Sequence, residues 1–315
     1  MKLQTIIPVQ PADILLDYHS KSLLLGSCFS ENIGHKLDYF KFHTLQNPFG
    51  ILFHPLAIEN LLERAISGKI YGEKEIFEQT EVWSCFDAHS QLNANTSDRI
   101  LESLNHGLEQ ITLFLKEATH VFITLGTAWV YQHESRELAV ANCHKVPQKE
   151  FKKKLLSIEE VVRSLEGILH LLQSVSNGIQ VIFTVSPVRH LKDGFVENQR
   201  SKAHLISAIH QLPKKDINYF PSYEIMMDEL RDYRFYNADM IHPNELAIDY
   251  IWNKFKATWI SEEVYEVMDK VETVQKGLAH RPFNANSTAH KAFSERLQAK
   301  IEYLQGNYPT INFNR

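Results

Sequence analysis

The sequence predicts an α/β protein whose parallel sheet is covered by helices on both faces. Three observations carry this. Leu23-Leu24-Leu25, Val121-Phe122-Ile123-Thr124-Leu125 and Val181-Ile182-Phe183-Thr184-Val185 are short apolar runs, the pattern of strands buried on both sides. Amphipathic stretches over residues 58–66, 100–117 and 158–175 separate them, as crossover helices would. Each run stops at a turn-forming group, Gly26, Gly126 or Ser186-Pro187, and an open parallel sheet binds its ligands at that end of the strands.

The elements follow in order. Residues 1–8 read as too short and too polar for a signal peptide. The first apolar run passes through Gly26-Ser27-Cys28 into a helix over residues 31–40. Residues 197–211 read as a further helix, residues 217–219 as a strand before Pro221, and residues 246–259 as a helix. Beyond Ser261, helical patterns over 262–274 and 291–304 are joined by a loop at 281–286. The expected organisation is one main domain over residues 1–260 and a helical extension over 261–315 packed on it. Residues 149–154, a basic run with one Phe, read as a solvated helix start.

Composition narrows the function classes. The chain has 315 residues, with 44% hydrophobic and 23% charged, ordinary values for a globular protein. A net charge of -5 argues against a nucleic-acid or anionic-membrane partner. No apolar run approaches a membrane span. The three cysteines, Cys28, Cys85 and Cys143, lack paired spacing, which suggests free thiols and a cytoplasmic setting. No His or Cys cluster has metal-ligand spacing, so a metal-dependent hydrolase ranks low. No cofactor is expected.

Two segments carry chemistry. Gly26-Ser27-Cys28 places two possible nucleophiles at a strand-to-helix turn. Helix N-terminal amides favour negative charge, so a thiol there is expected to ionise more readily and an oxyanion to be steadied. Asn237-Ala238-Asp239-Met240-Ile241-His242-Pro243-Asn244 sets a carboxylate three residues before a histidine, just ahead of a helix. Such a carboxylate can orient the ring of a general base. Taken alone, Asp239 and His242 are ordinary turn and capping residues. Taken with the Gly26 turn, they supply a base and its orienter.

The ordered blocks resemble the SGNH (GDSL-type) hydrolases. The closer resemblance is to the GSCFA family, through Gly26-Ser27-Cys28-Phe29-Ser30, Asn47-Pro48-Phe49-Gly50, Leu125-Gly126-Thr127-Ala128-Trp129, Asn142-Cys143-His144-Lys145 and Ser186-Pro187-Val188-Arg189. The resemblance implies a flavodoxin-like three-layer α/β/α fold and ester or acyl chemistry on a small-molecule substrate. Column by column, Cys28 falls on the superfamily's nucleophilic serine and Ser27 on the preceding aspartate. Cys28 is therefore the leading nucleophile. Ser27 is the alternative, with Cys28 then a buried apolar filler. Ala128 stands where the superfamily's oxyanion-hole asparagine is expected. Asn142 and the Trp129 indole are candidate replacements, and Gly50 is the candidate for the glycine amide. Asn47, His144, His89 and Arg189 complete the candidate substrate-binding set, Arg189 as a group for an anionic substrate. Each of these also reads as a turn, strand-edge or surface residue. The leading function is a hydrolase or acyltransferase using Cys28 or Ser27 with His242 and Asp239. The missing asparagine motivates the alternative, a non-catalytic binder of an acylated sugar or similar small ligand.

Overall fold

The computed structural model describes residues 4–313 except Glu137, Lys214, Asp216 and Ala285; Ala285, in the expected 281–286 loop, lies outside the described residues. β1 (Lys21–Gly26) runs into α1 (Cys28–Tyr39), then β2 (His43–Gln46) and α2 (Pro55–Ser67). A hairpin of β3 (Ile76–Gln79) and β4 (Val82–Cys85) precedes α3 (Ser97–Leu115) and β5 (His120–Leu125). Next come β6 (Trp129–His133), β7 (Leu138–Val140) and β8 (Phe151–Leu155). α4 (Ile158–Val175), β9 (Gln180–Val185), α5 (Phe195–Ile209) and β10 (Asn218–Phe220) follow. A short α6 (Ser222–Glu224) continues as a π-helical turn, and α7 (Glu245–Trp259), α8 (Tyr265–Ala279) and α9 (Thr288–Asn307) finish the chain.

The central sheet has the order β10-β9-β5-β1-β2, and every pairing in it is parallel. Counting only these strands, the second lies outside the first and the rest extend the other way. That is the flavodoxin-like order, with its switch point between β1 and β5. The expected fold class is therefore observed: helices cover both faces of a parallel sheet.

The pleat sorts the core into two layers. Leu23, Leu25, Val121, Ile123, Val181 and Phe183 pack with Leu61, Leu104, Leu165 and Leu205 of α2 to α5. Leu24, Phe122, Ile182 and Phe220 point the other way, onto Phe29 and Leu37 of α1 and Trp252 and Phe255 of α7. Each such fully buried side chain stabilises the fold by about 1.5–3 kcal/mol. α8 belongs to this second layer, burying Val267, Met268, Val271 and Val274. α9 lies on α8, with the Leu297 methyls close against Gly277.

Two antiparallel additions are not evident from the apolar runs. The basic run expected to start a helix instead forms β8, pairing with β6 from Trp129↔Leu155 to His133↔Phe151. Its alternation explains the strand: Phe151 is buried in a small cluster with Phe86 and Val140, while Lys152 and Lys153 face solvent. His144 and Lys145, just after Cys143, form a turn with both residues at positive φ.

Candidate active site

β1 delivers the chain to the switch point, and Gly26 makes the exit possible. Its φ is +127°, and a Cβ there would stand 2.1 Å from the Thr124 carbonyl oxygen. The Ser27 amide donates to that same oxygen at 3.0 Å. Ser27 is the helix cap: its hydroxyl accepts from the Phe29 amide at 3.4 Å, and the residue is fully buried. Cys28, the first helical residue, is half-buried and free. The turn therefore commits the serine to capping and leaves the thiol partly exposed on the first turn of α1.

The thiol's ionisation runs opposite to expectation. Burial, with the Glu31 carboxylate adding to it, pushes the Cys28 thiol up. The Lys202 ammonium and the amides of Cys28 and Phe29 pull it down without overcoming burial. The helix terminus acts in the expected direction, but desolvation outweighs it.

The Asp239–His242 pair is formed. The His242 Nδ1 lies 2.7 Å from Asp239 Oδ2. The other carboxylate oxygen accepts from the amides of Ile241 at 2.9 Å and His242 at 3.0 Å. These contacts, led by the His242 amide and then its ring, bring the Asp239 carboxyl down to about 2. An ionised Asp239 makes Nδ1 the donor and leaves Nε2 to exchange a proton. Both side chains are nearly half exposed. The loop is anchored on both sides. Asn244 caps α7 through the Ala247 amide at 3.1 Å. The Arg189 amide, just beyond β9, donates to the Ile241 carbonyl at 3.2 Å. The Arg189 guanidinium stacks 4.1 Å over the Tyr236 ring, so it braces this loop from within the fold.

Lys202 of α5 is buried with 1% exposure. Its Nζ donates to the carbonyls of Gly126 and Ser186, both at 2.8 Å. These two carbonyls follow β5, the neighbour of β1, and β9, the next strand beyond it. Burial lowers the Lys202 amine to about 7, and the Cys28 charge works against that shift. His190 stands next to it: its Nε2 is 3.1 Å from where a Cβ on Gly126 would lie. That nitrogen is buried without a hydrogen-bond partner among the described residues. Burial first, then the charges of Lys202 and His242, hold the His190 imidazole well below its usual range. Electrostatic coupling thus links Cys28 to Lys202, Lys202 to His190 and His190 to His242. Lys202 was legible in one respect. On α5 the buried stripe runs Asn198, Ser201, Lys202, Leu205, Ile209, so the helical period puts a lysine on the inward face.

Residues 21–255 match the model of the GSCFA family, and residues 271–315 match that of the GSCFA domain protein, C-terminal domain. The chain belongs to the GSCFA family. No curated protein matches it. Among solved structures, the crystal structure of a carbohydrate esterase family 3 from Talaromyces cellulolyticus is similar at 10% identity and a TM-score of 0.33. The match covers 79% of this chain and 98% of that one, and a likeness this slight bears on neither activity nor site.

In this GSCFA protein the other candidate residues have structural work. The Gly50 amide closes a turn onto the Asn47 carbonyl at 2.7 Å, so it is not the free oxyanion donor expected of it. Gly50 is needed for its φ of +69° and because a Cβ would stand 2.5 Å from the Cβ of His89. The Trp129 indole N–H donates to the Glu197 carbonyl at 3.2 Å, which removes it as a replacement donor. Asn47 Oδ1 accepts from the Gly26 amide at 2.9 Å; it pins the nucleophile turn. Asn142 uses its Oδ1 to hold the His144 amide at 2.9 Å. His144 is buried, with Nε2 donating to the carbonyls of Cys85 at 2.7 Å and Ala88 at 3.0 Å. His89 caps a short 3-10 turn through the Gln91 amide at 3.4 Å. The Ala128 amide is held by Ser201 Oγ at 2.7 Å. Among the described residues no group of three His, Cys, Asp or Glu could hold a metal ion, and no helix is long and apolar enough to cross a membrane.

Proposed function

We propose that this protein is an SGNH-like hydrolase or acyltransferase acting on an ester or acyl group of a small molecule, such as an acylated carbohydrate or a cell-envelope precursor. Cys28 is the nucleophile, His242 the base and Asp239 its orienter. One observation carries the reading: a partly exposed thiol on the first turn of α1 at the switch point, together with a formed Asp–His pair on a loop that the Arg189 amide ties to the end of β9 in the same sheet. Ser27 is disfavoured because its hydroxyl is buried in the cap.

The chemistry balances with these groups alone. His242 Nε2 takes the thiol proton as Cys28 Sγ bonds to the acyl carbon, and the carbonyl π pair moves to oxygen. Collapse of that intermediate breaks the bond to the leaving alcohol, which takes the proton from His242. Asp239 steadies the imidazolium between these steps. Water or a second alcohol then attacks the thioester carbon while His242 takes its proton; the C–S bond breaks, Cys28 Sγ leaves and recovers that proton, giving hydrolysis or transfer. The test is turnover of short-chain acyl esters and thioesters by wild type, Cys28→Ser, Ser27→Ala and His242→Ala. Equal turnover in wild type and His242→Ala refutes the triad.

The committed Gly50 and Trp129 donors favour a second reading, ligand binding without turnover. Retained binding of an acylated sugar with no covalent adduct from an acyl-directed probe would establish it.

A further inference from the structure

We propose that Lys202 is the cation that holds negative charge at Cys28, on the thiolate and then on the oxyanion of the acyl intermediate. This rests on the reading of Cys28 as the nucleophile. Buried lysines are almost always paired with a carboxylate. Lys202 has no such ion pair among the described residues. Its two protein acceptors are neutral carbonyls, those of Gly126 and Ser186, and the Tyr223 ring lies 5.4 Å away. An ammonium has three N–H groups, so one is left without a protein acceptor among the described residues. Lys202 meets the end of β5 two residues beyond Thr124, whose carbonyl takes the Ser27 amide, so the ammonium stands by the turn that carries Cys28, and the charges of the two groups act on each other. A cation buried without a permanent counter-anion, beside a group that becomes anionic during reaction, is placed for electrostatic stabilisation.

The need for such a group is visible at the same site. Ala128 offers no side-chain donor, and Gly50 and Trp129 have given theirs to Asn47 and Glu197, which leaves the Asn142 side-chain amide, whose oxygen holds the His144 turn, as the remaining neutral candidate. Lys202 reaches the strand ends from α5, on the opposite layer from α1. The other titratable groups around the pair are Glu31 on α1, His190 after β9, Tyr223 on α6 and His242 ahead of α7.

The experiment is alkylation of Cys28 by iodoacetamide in the full chain from pH 5 to 10, with Cys28→Ser identifying its share of the signal. In Lys202→Met the alkylation rate at Cys28 between about pH 5 and 7, where the wild-type amine is charged, should fall roughly tenfold; Lys202→Arg should recover most of the loss. An unchanged rate in that range overturns the proposal. Should Lys202→Met not fold, Lys202→Gln is read in the same way, and an unchanged rate overturns the proposal equally. The parent reading fails separately: full turnover in His242→Ala with slowed alkylation in Lys202→Met would refute the triad and keep the lysine.

Discussion

Replacing Lys202 by methionine should make the protein more stable near neutral pH and remove a pH dependence that the wild type carries. The amine falls from 10.5 to about 7 on folding. A lowered lysine means that the unfolded chain binds more protons than the folded one between those values. Stability therefore rises with pH across the window from about 7 to 10.5, and the burden is fully present below it. At about 1.4 kcal/mol per unit, the ceiling of that burden is ~5 kcal/mol. Methionine fills most of the lysine volume but gives up two hydrogen bonds to carbonyls, each worth ~1 kcal/mol. The net gain at pH 7 should be about 2–3 kcal/mol, by the same two estimates. Urea unfolding followed by tryptophan fluorescence at pH 7, 8, 9 and 10 measures it. Tyrosines and the other cysteines also titrate there but cancel in the difference between wild type and variant, and placing both proteins on a Cys28→Ser background removes the one thiol coupled to Lys202. The reasoning is refuted if that difference is the same at every pH.

Two further outcomes follow from the geometry. Gly26→Ala should destabilise the fold by at least ~2–3 kcal/mol through positive-φ strain alone, and by more because the Cβ would meet the Thr124 carbonyl at 2.1 Å; thermal unfolding reads this, and a variant within measurement error of wild type contradicts the strained exit from β1. Asp239→Asn should lower kcat by roughly 10²–10⁴-fold, the range of a general-base contribution, with KM little changed. Asp239 titrates near 2, so any activity lost between pH 6 and 4 belongs to another group, and that acid limb should persist in shape in Asp239→Asn.

The fold was legible where burial is two-sided. Central strands covered on both faces are continuous apolar runs, so β1, β5 and β9 stand out around Leu24, Phe122 and Ile182. β2 does not: it is an edge strand, and His43 and Thr44 give it no apolar run. β8 hides because Lys152 and Lys153 dominate its composition, and only pairing with β6 reveals Phe151 as its inward residue. In the site, Asp239 and His242 were legible because their contact spans three residues. Donor availability was not. Whether Gly50 or Trp129 has a free N–H depends on acceptors supplied by the folded backbone, the carbonyls of Asn47 and Glu197. The thiol's ionisation was misjudged for a related reason: a helix N-terminus is visible in sequence, whereas the burial that outweighs it comes from tertiary packing.

The central claim is that Cys28 carries the acyl group. The direct measurement is peptide-resolved mass spectrometry of the full chain quenched during reaction with an activated acyl ester. One acyl group is expected on the peptide containing Cys28, released by hydroxylamine as a thioester is, and absent in Cys28→Ser. Acyl transfer to Ser27, or turnover undiminished in Cys28→Ser with no adduct at residue 28, would contradict it.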